Sequence, residues 1–88
     1  MAWEIRFSPR ASKSFKKLDT AERRRISTFL REVAGLKDPR SRGKALTANK
    51  AGLWRWRVGD YRVVADIVDD QVVVVVVDVG HRSKIYID

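Results

Sequence analysis

Six consecutive valines, Val72 to Val77, narrow what this chain can fold into more than any other segment. β-branched side chains are stiff at χ1 and pack well on a pleated surface, so the run reads as a strand. Alternation would send three of them to each side of a sheet, so the strand expects apolar cover on both. Left bare, such a run is an aggregation hazard. Either the strand is central and shielded by neighbouring side chains, or a partner segment shields the face that the rest of the chain leaves open.

The residues around it supply the other elements. Strands are predicted over Leu53–Val58, Tyr61–Val68 and Val72–Val79, joined by two-residue turns at Gly59-Asp60 and Asp69-Asp70. Near the N-terminus Trp3, Ile5 and Phe7 alternate with Glu4 and Arg6, the pattern of a half-buried strand expected beside the valine strand. Ser8-Pro9 offers an N-cap and a first-turn proline, and Ala11, Phe15 and Leu18 fall at helical spacing, which predicts a short helix from Pro9 to Lys17. Asp19, with Glu22 three residues on, resembles a capping box for a second helix. Ile26, Phe29, Leu30, Val33 and Ala34 make its apolar stripe, and Gly35 suits the residue past its end. Leu36 to Gly52 reads as loop, with Leu46 as an anchor. Eighty-eight residues make one domain. The order β-α-α-β-β-β predicts an α+β fold, two N-terminal helices packed on one face of a small, mostly antiparallel sheet.

The hairpin "LWRWRVGDYRVV" raises a different question. Counting outward from Gly59-Asp60 sets Val58 opposite Tyr61, Arg57 opposite Arg62, Trp56 opposite Val63 and Arg55 opposite Val64. Opposed residues share a face, so Arg57 and Arg62 lie side by side with Arg55 along the same side, while Trp54, Trp56 and Val63 face the helices. Like charges directly opposite destabilise a ladder. An anion held between them turns repulsion into attraction, and a guanidinium fork suits phosphate oxygens. Arginines splayed into water, keeping an open sheet face soluble, are the alternative. The tail "VGHRSKIYID" adds Arg82, carried near the same turn by the returning valine strand, the only histidine, His81, and Tyr86, which could stack on a base.

Charge points the same way. With 19 Lys and Arg against 11 Asp and Glu, the net charge is +8, which favours a polyanionic partner such as RNA, DNA or an acidic protein. A basic surface with no partner is the alternative. There is no cysteine, hence no disulfide frame or thiolate metal site. No apolar run approaches the ~20 residues that span a bilayer, and the N-terminus lacks a signal-peptide layout. A soluble, cytoplasmic protein is expected.

The layout, with "YRVV" after a basic strand, "VVVVVVDVGHR" and a terminal "IY", resembles the RelE/ParE superfamily of toxins from prokaryotic type II toxin–antitoxin operons, over essentially the whole chain. RelE-type members are reported to cut messenger RNA, typically in the ribosomal A site, without a metal or other cofactor. The ribose 2′-OH attacks the adjacent phosphate and the 5′-oxygen leaves. By this resemblance Arg55 and Arg57 match two basic residues on the second strand. Arg62 matches the arginine that stabilises the phosphate, Arg82 the one assigned to the leaving group, and Tyr86 a tyrosine that stacks on or orients the substrate. The positions of Arg55 and Arg57 carry lysine in the best-studied pattern. Lysine can lose its proton and arginine effectively cannot, so neither is a convincing general base. His81, with a histidine's near-neutral reference pKa, could fill that role, Tyr86 less readily, or catalysis could rest mainly on electrostatics. The resemblance also implies a cognate antitoxin, a partner whose apolar and acidic segment would cover the open face in a hetero-oligomeric complex. Two other functions stay open: a ParE-type toxin that poisons DNA gyrase, and a non-catalytic basic nucleic-acid-binding module.

Overall fold

A computed structural model describes residues 2–46 and 52–84. Strand β1 (Glu4–Phe7) leads into helices α1 (Pro9–Lys16) and α2 (Thr20–Ala34), followed by β2 (Lys44–Ala45), β3 (Trp54–Val58), β4 (Tyr61–Val68) and β5 (Val73–His81). The five strands form one sheet in the order β1-β5-β4-β3-β2, with β1 parallel to β5 and every other pair antiparallel. The valine strand is therefore flanked, with β4 along its whole length and β1 along Val73–Val76.

Helix starts follow the capping chemistry of the sequence. Ser8 Oγ accepts the Ala11 N–H at 3.1 Å with Pro9 in the first turn, and Asp19 Oδ1 accepts the Glu22 N–H at 2.9 Å. Both helices pack on one side of the sheet. Ala11, Ile26, Leu30 and Val33 are buried against Trp56, Val63, Ala65, Ile67, Val74, Val76 and Val79. Phe7 meets Phe15 at 5.2 Å between centroids, and Phe29 meets the edge of Trp56 at 6.2 Å. Burying an aromatic or branched side chain contributes roughly 1.5–3 kcal/mol, so this layer supplies most of the stability.

Four expectations need correction. Asp69-Asp70 is not a two-residue turn: Asp69–Gln71 form a 3-10 turn and Val72 follows with φ 54. Neither aspartate takes the positive φ that a tight hairpin turn demands, and the chain uses a longer connection instead. Val72 thus leaves the strand. At the other end the strand does not stop at Gly80, because Arg62 pairs with Gly80 and Tyr61 with His81. Finally, the segment from Leu36 to Gly52 is not all loop. It contains a 3-10 turn at Pro39–Ser41 and the short strand β2. Trp56 Nε1 donates to the Pro39 carbonyl at 3.3 Å and Trp54 Nε1 to the Arg42 carbonyl at 2.7 Å. Gly43, at φ 93, permits this approach, since a Cβ there would collide with the Arg55 carbonyl and both tryptophan rings.

The valines also depart from simple alternation. The β4–β5 register shifts between Val64 and Ala65, leaving Val77 as an extra residue in a bulge. Val74 and Val76 face the helices, and the bulge changes phase so that Val79, not Asp78, faces them next. Unshifted alternation would have aimed the Asp78 carboxylate into the core, a costly burial. Val77 instead packs beside Val64, Leu46 and Leu53 in a small second apolar cluster on the other side of the sheet. Leu46 is an anchor, as expected, and it gives that face its own cover.

Candidate nucleic-acid interface

The two-residue turn between β3 and β4 fixes the register on which the site depends. Gly59 takes φ 60, and the ladder then sets Arg57 opposite Arg62 and Arg55 opposite Val64. Across the other neighbour, Arg62 faces Gly80 of β5. Arg62 therefore lies between a second arginine and a residue with no side chain. That leaves one flank of it crowded with charge and the other open to a ligand.

Electrostatics confirm that the three arginines are close. The Arg55 guanidinium is held below its usual pKa, first by burial, then by the charges of Arg62 and Arg57. Arginine stays cationic after such a shift, which reflects partial burial first and the neighbouring like charges second. Arg62 Nε is buried and has no hydrogen-bond partner. Among the described residues, no carboxylate oxygen lies within 4.0 Å of a side-chain nitrogen of Arg55, Arg57, Arg62 or Arg82. Carboxylates elsewhere do find cations: Arg40 holds Asp69 at 2.8 Å, Arg42 holds Glu32 at 3.1 Å and Arg10 holds Asp78 at 3.3 Å. The open-face arginines stand apart from this pattern.

Arg82 follows β5 directly, and its N–H donates to the Asp60 carbonyl at 2.8 Å, which ties its backbone to the β3–β4 turn. His81 goes elsewhere. It pairs with Tyr61 on the helix side, the two rings meeting edge to face at 5.5 Å and 85°. Its Nδ1 accepts the Ser83 N–H at 3.1 Å and lies 2.8 Å from Ser83 Oγ, so the proton of a neutral ring sits on Nε2. Of the predicted residues, Arg55, Arg57 and Arg62 share one face, Arg82 borders it, and His81 faces the other way. Tyr86 lies outside the described residues.

Two features were not predicted. Gly80 as the neighbour of Arg62 could not be counted in advance without knowing the Val77 bulge. Arg25 of α2 reaches the β3–β4 turn, where its guanidinium fills the space that a Gly59 side chain would need. A basic residue on the polar side of α2 carries no mark of this role. Among the described residues no three His, Asp or Glu side chains come together as metal ligands would. No described helix is long and apolar enough to cross a membrane. Among the described residues, what the open face offers is converging positive charge without a paired carboxylate, an arrangement suited to holding a phosphodiester and to stabilising added charge on it.

Two helices backed onto a five-stranded sheet form the fold of the RelE/ParE class of toxins. The chain belongs to the family described as ParE toxin of type II toxin-antitoxin system, parDE, whose sequence pattern matches residues 5–86. No curated protein matches it by sequence. Its fold is similar to the toxin–antitoxin complex RelBE2 from Mycobacterium tuberculosis, with 27% identity, 96% of this chain and 95% of that one covered, and a TM-score of 0.85. It is also similar to the intact RelBE complex of E. coli, at 28% identity, 91% and 96% coverage and a TM-score of 0.73. The YoeB/ParE toxin from Agrobacterium tumefaciens shares the fold alone, at 16% identity, 89% and 96% coverage and a TM-score of 0.68.

Proposed function

We propose that this toxin is a metal-independent endoribonuclease that cuts messenger RNA in the ribosomal A site, acting in the cytoplasm and neutralised by a cognate antitoxin. The single observation that carries the proposal is the arginine face, un-neutralised among the described residues, with Arg57 set against Arg62 and a buried Arg62 Nε left without an acceptor there. A fold maintained for its own stability gains nothing from that pairing, and a phosphodiester relieves it.

In this chemistry the ribose 2′-oxygen forms a bond to the adjacent phosphorus, and the bond from phosphorus to the 5′-oxygen breaks. The products are a 2′,3′-cyclic phosphate and a 5′-hydroxyl. Arg62 holds the non-bridging oxygens as charge builds on the phosphorane, with Arg55 and Arg57 adding to the field. Arg82 serves the departing 5′-oxygen, and Tyr86 stacks on the substrate. The general base is left unassigned, because His81 faces the helix side with its Nδ1 occupied. Positioning by the ribosome and electrostatic stabilisation then account for most of the acceleration. An antitoxin partner is supported by the similar structures RelBE2 and RelBE, which are toxin–antitoxin complexes.

A second reading has its own support. The matching family is described by the ParE name, and Arg55 and Arg57 stand where lysine occurs in the RNA-cutting pattern. A ParE-type toxin would use the same face to bind DNA gyrase without proton-transfer chemistry. Brief induction in growing cells, followed by mapping of RNA 5′ ends and of DNA breaks, separates the two. New 5′-hydroxyl ends inside translated codons support cleavage. Intact messages with broken DNA support the gyrase reading, and normal growth leaves only a basic binding module.

A further inference from the structure

Strand β1 is the outermost strand of the sheet, and among the described residues no strand lies along its outer side. The hydrogen-bonding phase of that free side follows from the paired one. Glu4 and Ser8 donate their N–H groups to the Val72 and Val76 carbonyls at 3.0 and 2.9 Å, so every second residue turns its main chain toward β5. Ile5 and Phe7 therefore turn theirs outward. Among the described residues no backbone hydrogen bond outside the ladder reaches either of them. At Trp3 the free side ends, because the Trp3 N–H donates to the Ala34 carbonyl at 2.8 Å.

Charge singles out the same strip. Ile5 and Phe7 pack toward the helices, so Glu4 and Arg6 project on the other side of the sheet, where both are exposed and pair with each other. The strip is thus neutral in a chain of net charge +8, a place where two copies can approach against their mutual repulsion. On the helix side a cleft of about 230 Å³ opens beside β1, lined by Ile5, Phe7, Phe15, Ser27, Leu30 and Arg31. Apart from Arg31, it offers no charge. Edge strands are commonly guarded by lysine or by an unpaired charge, and β1 has neither.

We propose that β1 is a self-association surface, on which a second copy of this chain lays its own β1 antiparallel about a two-fold axis at Ile5. Centred there, the outward N–H and C=O of Ile5 exchange both bonds with the same groups of the second copy. Glu4 then stands opposite the second copy's Arg6, and Arg6 opposite its Glu4. Those two rungs are of the non-hydrogen-bonded kind, in which side chains approach more closely. Centring on Glu4 or on Arg6 would oppose like charges and present main-chain groups that β5 already uses. A charge order that reverses about Ile5 is what an isologous contact requires, and an unrelated strand has no use for it. The result is one sheet with five strands from each copy and both arginine faces on the same side. Five strand spacings separate one β4 from the other, which sets the two Arg62 side chains about 24 Å apart. Trp3 limits the ladder to three rungs, so the contact is weak and depends on concentration. It holds whether the arginine faces act on RNA or on gyrase.

Sedimentation velocity of the purified full chain between about 5 and 500 µM tests this, with amide hydrogen exchange at both ends of the range. Expected are a monomer–dimer equilibrium and exchange of the Ile5 amide about fivefold slower at the upper concentration. Arg6→Glu and Glu4→Arg each set like charges on two rungs, so each variant alone should dimerise about tenfold more weakly. Mixed in equal amounts, the two should form a heterodimer at least as tight as the wild-type dimer. Neither variant keeps the ion pair within its own chain, so that rescue reports pairing between copies. A chain that stays monomeric throughout overturns the proposal, as does a dimer that neither variant weakens or a mixture that fails to pair. A wild-type dimer whose Ile5 amide exchanges as fast as the monomer's overturns it as well, and that measurement needs no variant to fold.

Discussion

Arg57 and Arg62 face each other across one rung of the sheet, a repulsion that an anion held between them would relieve. Like charges directly opposite cost roughly 0.2–1 kcal/mol in a ladder. Arg57→Thr should therefore raise the melting temperature by about 2–4 °C at low salt while weakening polyanion binding. Thermal unfolding at ~10 mM and ~500 mM salt checks this, because screening should shrink the gain. A melting temperature that falls at both salt levels would mean that the pair is already stabilised within the chain. The pairing itself was legible in the sequence, since a two-residue turn at Gly59-Asp60 fixes register by counting. The placement of His81 was not. It depended on β5 running past Gly80, and a glycine before a charged tail reads as a strand end.

Among the elements, the connection from β4 to β5 carries the clearest backbone strain. Val72 sits in the left-handed region, where a β-branched side chain is rarely found and costs about 1–2 kcal/mol. Val72→Asn keeps the conformation with less strain and loses some half-buried apolar contact near Trp3, so a net rise of about 4 °C in melting temperature is expected by calorimetry. A drop of similar size would show that the valine's packing outweighs the strain. Element identity was largely readable: caps at Ser8 and Asp19, the helical stripe from Ile26 to Val33 and the alternation of Trp3, Ile5 and Phe7 each carry a local signal. The bulge at Val77 and strand β2 carried none. Six identical side chains cannot mark where the phase shifts, and β2 exists because Gly43 lets two tryptophans reach the preceding loop.

Over the whole molecule, the two ends of the sheet are held differently. Far from the arginine face, Arg40 clamps the β4–β5 connection to the loop after α2, with Nη1 and Nη2 donating to Asp69 at 2.9 and 2.8 Å. Hydrogen bonding from Arg40 holds the Asp69 carboxyl below its ordinary 3.8. A carboxyl whose pKa is depressed on folding adds stability that is complete above its unfolded value and is lost as pH falls through the folded one. Asp69 is well exposed, so the contribution is small. Asp69→Asn should melt slightly below the wild type at pH 6 and level with it near pH 2, as followed by circular dichroism. A gap that widens on acidification would contradict the clamp. At the hairpin end no such pairing ties the sheet's arginines among the described residues, and a chain of net charge +8 favours a polyanionic partner.

Cleavage by the purified chain on ribosomes programmed with a defined message tests the central claim most directly, with Arg62→Ala and Lys13→Ala compared under single turnover. If the arginine face stabilises the phosphorane, Arg62→Ala slows cutting by roughly 10²–10³-fold and Lys13→Ala, on the exposed side of α1, leaves it within about twofold. Cleavage by Arg62→Ala at the wild-type rate would contradict the account.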